Sequence, residues 1–193
     1  SQFSAPINPS IYAVASHGQI LVSWDGSSEA SSDSLTGYFD FEGYKLYRSI
    51  DGGVSWGGED DKLYDYNGEF VGWSPYAQFD FSFDEDHDQC IYVQDGCESE
   101  DTRQASIHGL DPLAPRFTLG ENTGIEYSFV DSNVVDGIEY TYSVTAYDIG
   151  LTPLEISYEP SETDSSVFVA DTLWSTLNPG HLLGPDTIAY YDV

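Results

Sequence analysis

Carboxylate side chains are concentrated in one short stretch of the chain, residues 84–88. Asp84, Asp86 and Asp88 stand there at alternate positions. Alternate carboxylates in a loop can converge on a hard cation such as Ca²⁺, which takes about six to eight oxygen ligands. The following residues do not complete an EF-hand, and some clustering is expected in a chain with 34 acids. The three aspartates are therefore candidate calcium ligands, and the alternative is an ordinary solvated acidic surface.

The chain has two cysteines, Cys90 and Cys97, with six residues between them. In an exported protein this pair would form a disulfide, whereas in a reducing cytosol it would remain two thiols. The spacing matches no zinc-binding pattern. A bond that closes so short a loop would stabilise the fold by about 2–3 kcal/mol at most. We predict the disulfide and, with it, an oxidising compartment.

Large aromatic side chains are frequent between residues 56 and 76, where Trp56, Trp73 and Tyr76 are the most prominent. Aromatic residues in β structure usually belong to a core. If they are exposed instead, they can form a platform that stacks on sugar rings or on a partner protein. These three residues are the candidates for contact with a glycan or a partner.

Motifs that would indicate an enzyme are absent from the sequence. It contains no Gly-x-Ser-x-Gly, no His-Glu-x-x-His and no phosphate-binding glycine loop. The four histidines, His17, His87, His108 and His181, have no spacing that suggests a shared site. Carboxylate pairs of the kind used by glycosidases carry no information in so acidic a chain. We therefore expect a non-catalytic protein.

The net charge is extreme, because five Lys and Arg face 34 Asp and Glu and leave a formal charge of −29. Such a chain cannot form a basic patch, so nucleic acid and anionic membranes are unsuitable partners. Its self-repulsion calls for high ionic strength or bound cations. No apolar run reaches the roughly 20 residues that a membrane-spanning helix needs. Together with the cysteine pair, these features favour an extracellular or cell-surface location.

The elements that would position these residues are short strands, because apolar and polar residues alternate with a period of two. A solvated face opposite a buried one is typical of antiparallel sheets. No convincing helix of ten or more residues is present, which makes the expected fold class all-β. The predicted strands are residues 11–15, 19–24, 41–49, 125–130, 138–147 and 165–170.

The order of these segments resembles that of one known family. Residues 19–25 and 42–49 look like the second and third strands of a fibronectin type III domain, and residues 51–56 like the turn after them. Residues 137–148 look like its sixth strand, and residues 159–162 like the approach to its last. The resemblance is closest to modules of large secreted bacterial proteins.

This resemblance implies an immunoglobulin-like antiparallel β-sandwich with Trp24 and Tyr142 in its core. Residues 1–170 would form the sandwich, but modules of this kind have about 100 residues. The excess is an insertion at residues 54–124. Within it, Asn-Gly between two aromatic alternating runs predicts a β-hairpin over residues 62–73.

The C-terminal residues 171–193 are too apolar for a free linker. This tail would pack on its own sandwich, or it would dock on a neighbouring subunit, for example by adding a strand to a sheet edge. The candidate assembly residues of the tail are Trp174, Leu177, Leu182, Leu183 and Tyr190.

Two functions are compatible with these features. The first is a non-catalytic extracellular structural or interaction module, for instance a homopolymeric subunit of a surface filament or sheath that assembles with calcium or salt. The second is a carbohydrate-binding accessory module of a secreted glycan-degrading protein. A third and weaker interpretation is acidity that serves salt adaptation alone. Nucleic-acid binding and membrane insertion are not expected.

Overall fold

The protein is described here by a computed structural model. It describes residues 5–32, 37–91, 93–94, 96–98, 102–103, 107–110 and 116–149, together with the backbone of three strands closer to the C terminus. The strands are β1 (Ile11–Ser16), β2 (Gln19–Trp24), β3 (Phe41–Ser49), β4 (Lys62–Tyr64), β5 (Phe70–Trp73), β6 (Ala77–Asp80), β7 (Gly109–Leu110), β8 (Thr118–Gly120), β9 (Ser128–Asp131), β10 (Thr141–Asp148), β11 (Glu155–Pro160), β12 (Val167–Leu173) and β13 (Ala189–Asp192); the helices are α1 (Phe83–Asp88) and two short 3₁₀ helices, Ser27–Ala30 and Glu59–Asp61.

The first sheet has the order β1-β2-β9, and both of its pairings are antiparallel. β1 and β2 form a tight hairpin in which Gly18 adopts a positive φ of 69°, a conformation that glycine reaches without strain. Along β2, Val22 and Trp24 are buried, while Ser23 between them is more exposed. The predicted strand at residues 19–24 is confirmed to the residue.

The second sheet has the order β10-β3-β6 and is likewise antiparallel. A register shift near the start of β3 interrupts its alternation, so that Phe41 joins Tyr44 and Leu46 in the core. Glu42, next to Phe41, is completely buried outside that cluster. β6 lies within the predicted insertion but is a regular strand of this sheet, so the insertion is partly built into the fold.

The two sheets contact each other across one hydrophobic core. Trp24 of the first sheet packs near Tyr44 of the second, with ring centroids 6.0 Å apart. Trp24 is buried, and Tyr142 packs partly buried against the same cluster. The described residues therefore form an all-β, sandwich-like antiparallel structure, as predicted. The buried members of the core are Val22, Trp24, Phe41, Tyr44, Leu46, Phe81, Val144 and Ala146.

The hairpin predicted over residues 62–73 is confirmed as β4 and β5. Its turn is fixed by Asp65, which accepts the backbone N–H groups of Asn67 and Glu69 at 2.8 Å each. Gly68 supplies the positive φ, 82°, that the turn requires. This hairpin places Trp73 near the outer face of the second sheet.

Helical structure is scarce, as predicted, and none of the helices in the described part of the chain is long and apolar enough to cross a membrane. The prediction that residues 84–88 form a loop is wrong, since they lie in α1. Ser82 caps this helix: its hydroxyl accepts the N–H of Glu85, and the Glu85 carboxylate accepts the N–H of Ser82 at 2.7 Å. This capping box, with acids in the first turn, stabilises a helix N terminus.

Near the C terminus, β11, β12 and β13 form a third antiparallel sheet. β12 overlaps the strand predicted at residues 165–170, whereas residues 159–160, which the resemblance gave as part of the approach to the last strand, are the end of β11. Part of the apolar tail is a strand, because β13 pairs with β12 of the same chain. Tyr190 lies in β13; Trp174, Leu177, Leu182 and Leu183 lie outside the described residues.

Candidate functional site

Two neighbouring clefts share the side chain of Trp56 and are the best candidates for a binding surface. The first, of about 400 Å³, is lined by Arg48, Asp61 and Tyr76 as well as Trp56. The second, of about 340 Å³, is lined by Trp73 and Phe117 as well as Trp56. We call them the Arg48 cleft and the Trp73 cleft. The three aromatic residues singled out in the sequence thus meet at one surface.

Trp56 is positioned by the loop that follows β3. The Asp51 carboxylate accepts hydrogen bonds from the N–H groups of Val54 at 3.0 Å and Ser55 at 2.9 Å, and from the Ser55 hydroxyl at 2.7 Å. These bonds, the hydroxyl of Ser55 foremost, lower the pKa of Asp51. The Trp56 ring then packs edge to face on Tyr47 at 6.4 Å. Asp51 is exposed. Local hydrogen bonds, and not burial in the core, therefore hold this loop in place.

Arg48 forms the charged wall of its cleft and holds Tyr76 in place. Its guanidinium carbon lies 4.0 Å from the centre of the Tyr76 ring, within cation–π range. The same group donates to the Tyr76 hydroxyl at 2.9 Å and to Asp131 Oδ2 at 3.0 Å. Asp131 is only 1% exposed. An aromatic face is therefore held rigidly beside a fixed cation.

Asp131 keeps its charge although it is buried. Burial alone would raise the pKa of this carboxyl, but hydrogen bonds from Tyr142, Arg48 and the N–H of Asn133 lower it below its usual value. The Tyr142 hydroxyl donates at 2.7 Å and the Asn133 N–H at 2.9 Å. The Arg48–Asp131 pair thus connects the two sheets beneath the Arg48 cleft. Arg48 is two residues after the core residue Leu46 in β3 and so lies on the same side of the strand, where a charge requires a partner.

The three aspartates predicted to bind calcium do not converge. At 100° per helical residue, Asp84 and Asp88 lie on one side of α1 and Asp86 on the other. Asp84 and Asp88 are exposed, whereas Asp86 is buried. Within the described parts of the chain, no group of three or more His, Cys, Asp or Glu side chains is arranged to hold a metal ion. In this helix the three carboxylates do not lie on one side, and Asp86 is bound by Arg103 instead.

Asp86 instead belongs to a buried cluster that the sequence did not suggest. The Arg103 guanidinium donates to Glu42 Oε2 at 2.5 Å, to Asp86 Oδ1 at 3.0 Å and to the carbonyl of Phe41 at 2.6 Å. Asp86 also accepts the N–H of Ile107 at 2.7 Å. Arg103, Glu42 and Asp86 are each no more than 1% exposed. We call these three residues the Arg103 cluster.

One guanidinium cannot neutralise two buried carboxylates, so the cluster retains a proton. Burial raises the pKa of Glu42 to about 9, against the attraction of Arg103. Burial also raises the pKa of Asp86, partly offset by the N–H of Ile107 and by Arg103. With a pKa of about 9, Glu42 holds this proton at neutral pH.

The predicted disulfide between Cys90 and Cys97 is confirmed. It lies directly after α1, where Cys90 also forms an isolated antiparallel bridge with Thr102. The next residue, Arg103, donates its backbone N–H to the carbonyl of Gln89 at 3.1 Å. The crosslinked loop therefore ends beside the segment that delivers Arg103 into the interior.

Comparisons with known proteins return no relatives. No family model matches the chain, and no curated protein or solved structure matches it either.

Proposed function

We propose that this protein is a non-catalytic extracellular module with a fibronectin type III-like sandwich, which associates with other copies of itself when cations reduce its acidic repulsion. Calcium or salt would supply the cations, and a surface filament or sheath would be the product.

The strand order supports the fibronectin type III-like fold. The resemblance assigns β2, β3 and β10 as its second, third and sixth strands. In immunoglobulin-like sandwiches the third and sixth strands pair with each other, and the second belongs to the opposite sheet. β3 and β10 are paired in this protein, and β2 lies in the first sheet. The placement of these three strands supports the resemblance.

The position of the most strongly perturbed carboxyl supports a non-catalytic function. A raised carboxyl pKa often marks a general acid when the group lies in a cleft. Glu42 is instead fully buried, with Arg103 as its partner, and it lines neither Trp56 cleft. The raised pKa of Glu42 is a consequence of its burial in the fold. The carboxyl group itself is not accessible to a substrate.

The observation that carries the proposal is the use of cationic side chains inside the fold. Arg103 and Arg48 are bound to buried carboxylates. Lys45 is only 8% exposed, with its ammonium 4.2 Å from the Tyr147 ring centre. Lys62 is only partly exposed and pairs with Glu59, which leaves Arg116 as the one exposed residue among the five Lys and Arg. The charges on the described outer surface are therefore almost all negative, and this repulsion opposes the approach of two copies until external cations screen it.

Sedimentation velocity tests this proposal. At about 0.01 M ionic strength with a chelator, where the screening length is about 30 Å, we expect monomers. In about 1 M NaCl, where it is about 3 Å, or in millimolar CaCl₂, we expect larger species. MgCl₂ at the same ionic strength separates bound calcium from general screening. A protein that stays monomeric in every one of these solutions contradicts the proposal.

The Trp56 clefts support a second candidate, a carbohydrate-binding module. Sugar rings offer an apolar face to aromatic side chains and hydroxyls to charged groups. The Arg48 cleft combines both, since Trp56 and Tyr76 lie near Arg48 and Asp61. Its volume of about 400 Å³ is within the range of ligand pockets.

For this candidate we expect Trp56→Ala to weaken glycan binding at least tenfold, because Trp56 lines both clefts. A glycan array followed by calorimetry on any hit measures the loss. Tyr66→Ala is the matched control, since Tyr66 is 89% exposed and lines neither cleft. Equal binding by both variants, or no glycan bound by the unmodified protein, rejects carbohydrate recognition at this surface.

A further inference from the structure

β1 is an exposed edge strand that carries no charge. It ends the sheet order β1-β2-β9, and β2 is its only strand partner among the described residues. Five of its six residues are exposed. Edge strands are usually protected by charged residues, proline or bulges. β1 has the sequence Ile-Tyr-Ala-Val-Ala-Ser and pairs with β2 in an unbroken register, so none of these protections is present.

The sheet to which β1 belongs is equally free of charge at its surface. β1, β2 and β9 contain six, six and four residues, and the only charged one is Asp131. That carboxylate is buried and bound by Arg48. In a chain with a net charge of −29, this sheet is a neutral surface.

The outer face of this sheet is apolar and exposed. Val14 of β1 lies opposite Leu21 of β2, which lies opposite Val130 of β9, so the three side chains form a row across the sheet. Val14 is 64% exposed and Val130 is 52% exposed. Tyr12, two residues before Val14 and on the same face, is 66% exposed. The row continues to the β1 edge, where it meets solvent.

The free hydrogen-bonding groups of β1 can be assigned from the ladder. The N–H of Asp25 donates to the carbonyl of Ser10 at 3.2 Å, so this pair is a hydrogen-bonded one. Hydrogen-bonded pairs alternate along antiparallel strands. The backbone groups of Ile11, Ala13 and Ala15 therefore point away from β2. No backbone group in the described part of the chain bonds to them, so they offer three donors and three acceptors to a further strand.

We propose that β1 pairs antiparallel with β1 of a second copy, about a two-fold axis at Ala13, to form a continuous six-stranded sheet. Ala13 then lies opposite Ala13, and Ile11 opposite Ala15. The free N–H groups of these residues in each copy therefore face the free carbonyl groups of the other copy. Tyr12 of each copy lies opposite Val14 of the other, which makes apolar cross-strand pairs. A two-fold interface of this kind is self-complementary.

Charge identifies a second copy as the occupant. A basic partner would bind the acidic remainder of the surface, because this sheet offers no exposed carboxylate to pair with. A second acidic molecule is repelled by most of the surface, but at β1 two neutral strands meet. The inference rests on the proposed self-association and names the contact through which it occurs.

Two lysine variants with equal charge test the interface. Ala13→Lys places two like charges opposite each other on the two-fold axis, so we expect the dissociation constant in about 1 M NaCl to rise at least tenfold. Val54→Lys makes the same charge change at a loop residue that is 83% exposed. We expect it to associate like the unmodified protein. Sedimentation velocity over a concentration series measures both.

A cysteine variant tests the register. Opposed residues of a hydrogen-bonded antiparallel pair have Cα atoms about 5.5 Å apart, within the range of a disulfide. Ala13→Cys should therefore form a covalent dimer on mild oxidation, whereas Val54→Cys should not. The native Cys90–Cys97 bond leaves no other free thiol in either variant. Non-reducing electrophoresis distinguishes monomer from dimer.

The outcomes separate this inference from the proposed function. If the unmodified protein associates but Ala13→Lys associates equally well, β1 is not the contact and the proposed function stands. If Ala13→Cys does not crosslink more than Val54→Cys under associating conditions, the two-fold register is wrong. If the unmodified protein is monomeric in all salts, both proposals fail.

Discussion

Replacing Arg103 with methionine is expected to lower the free energy of unfolding by about 3–5 kcal/mol. The substitution keeps much of the apolar volume but removes the only cation bound by Glu42 and Asp86. Removing one partner of a buried ion pair leaves a charge without compensation, and this is far more costly than losing an exposed pair. The carbonyl of Phe41 also loses its donor.

Urea denaturation at neutral pH measures this loss. Arg116→Met is the matched control, because Arg116 is exposed, and its free energy of unfolding should stay within about 0.5 kcal/mol of the unmodified protein. Adding Asp86→Asn to Arg103→Met should restore part of the stability, since the remaining anion is then neutral. If Arg103→Met is no more destabilising than Arg116→Met, the described cluster does not contribute to folding.

The stability of the protein is expected to fall as the pH rises from about 5 to 9. Glu42 has a pKa of about 9 in the folded protein and 4.5 as its reference value. Between these values the folded state binds one more proton than the unfolded state, so the free energy of unfolding decreases by up to about 1.4 kcal/mol per pH unit. The stabilisation is complete below about pH 4.5 and is lost as the pH passes the folded pKa. The raised pKa of Asp86 acts in the same direction.

Glu42→Gln tests this linkage. Glutamine resembles the protonated carboxyl in shape and cannot ionise, so the slope between pH 5 and 9 should largely disappear in this variant. Glu69→Gln, at an exposed position, should keep the slope of the unmodified protein. Denaturation midpoints in about 0.5 M NaCl limit the contribution of surface repulsion. An unchanged slope in Glu42→Gln would show that Glu42 is ionised in the fold at neutral pH.

The lowered pKa of Asp131 has an effect of opposite sign in a different pH range. A depressed carboxyl pKa contributes stability above the unfolded value, which is 3.8 here, and loses it as the pH falls through the folded value. That loss lies below pH 4. It does not overlap the window in which Glu42 titrates.

The Arg103 cluster and the Arg48–Asp131 pair give a physical reason for the charge distribution. Four of the described carboxylates, Glu42, Asp80, Asp86 and Asp131, are fully buried. Two of the five cations bind three of them, and the proton on Glu42 removes the charge that Arg103 cannot balance. Asp80 is instead held by the backbone N–H groups of Asn122 at 2.6 Å and Thr123 at 3.0 Å. Arg48 and Arg103 are thus placed beside buried carboxyl groups, where a missing partner would cost the most free energy.

Several features of this protein could be predicted from the sequence because they depend on neighbouring residues. The alternation in β2 and β3 gave their bounds, since every second side chain of a strand faces the same side. Asn67-Gly68 gave the hairpin because few residues adopt a positive φ. The six residues between Cys90 and Cys97 permitted the disulfide. Ser82 and Glu85 have the spacing of a capping box, which is a local signal for the start of α1.

The tertiary structure decided which charged residues are inside. Arg48 and Asp131 are 83 residues apart in the chain, and Arg103 and Glu42 are 61 apart. No local pattern relates them, because a charge can be buried only where sheet packing brings its partner from elsewhere in the chain. The stretch at residues 84–88 illustrates this difference. Its composition indicated a calcium loop, but a helix turned Asp86 inward to Arg103 and left Asp84 and Asp88 at the surface.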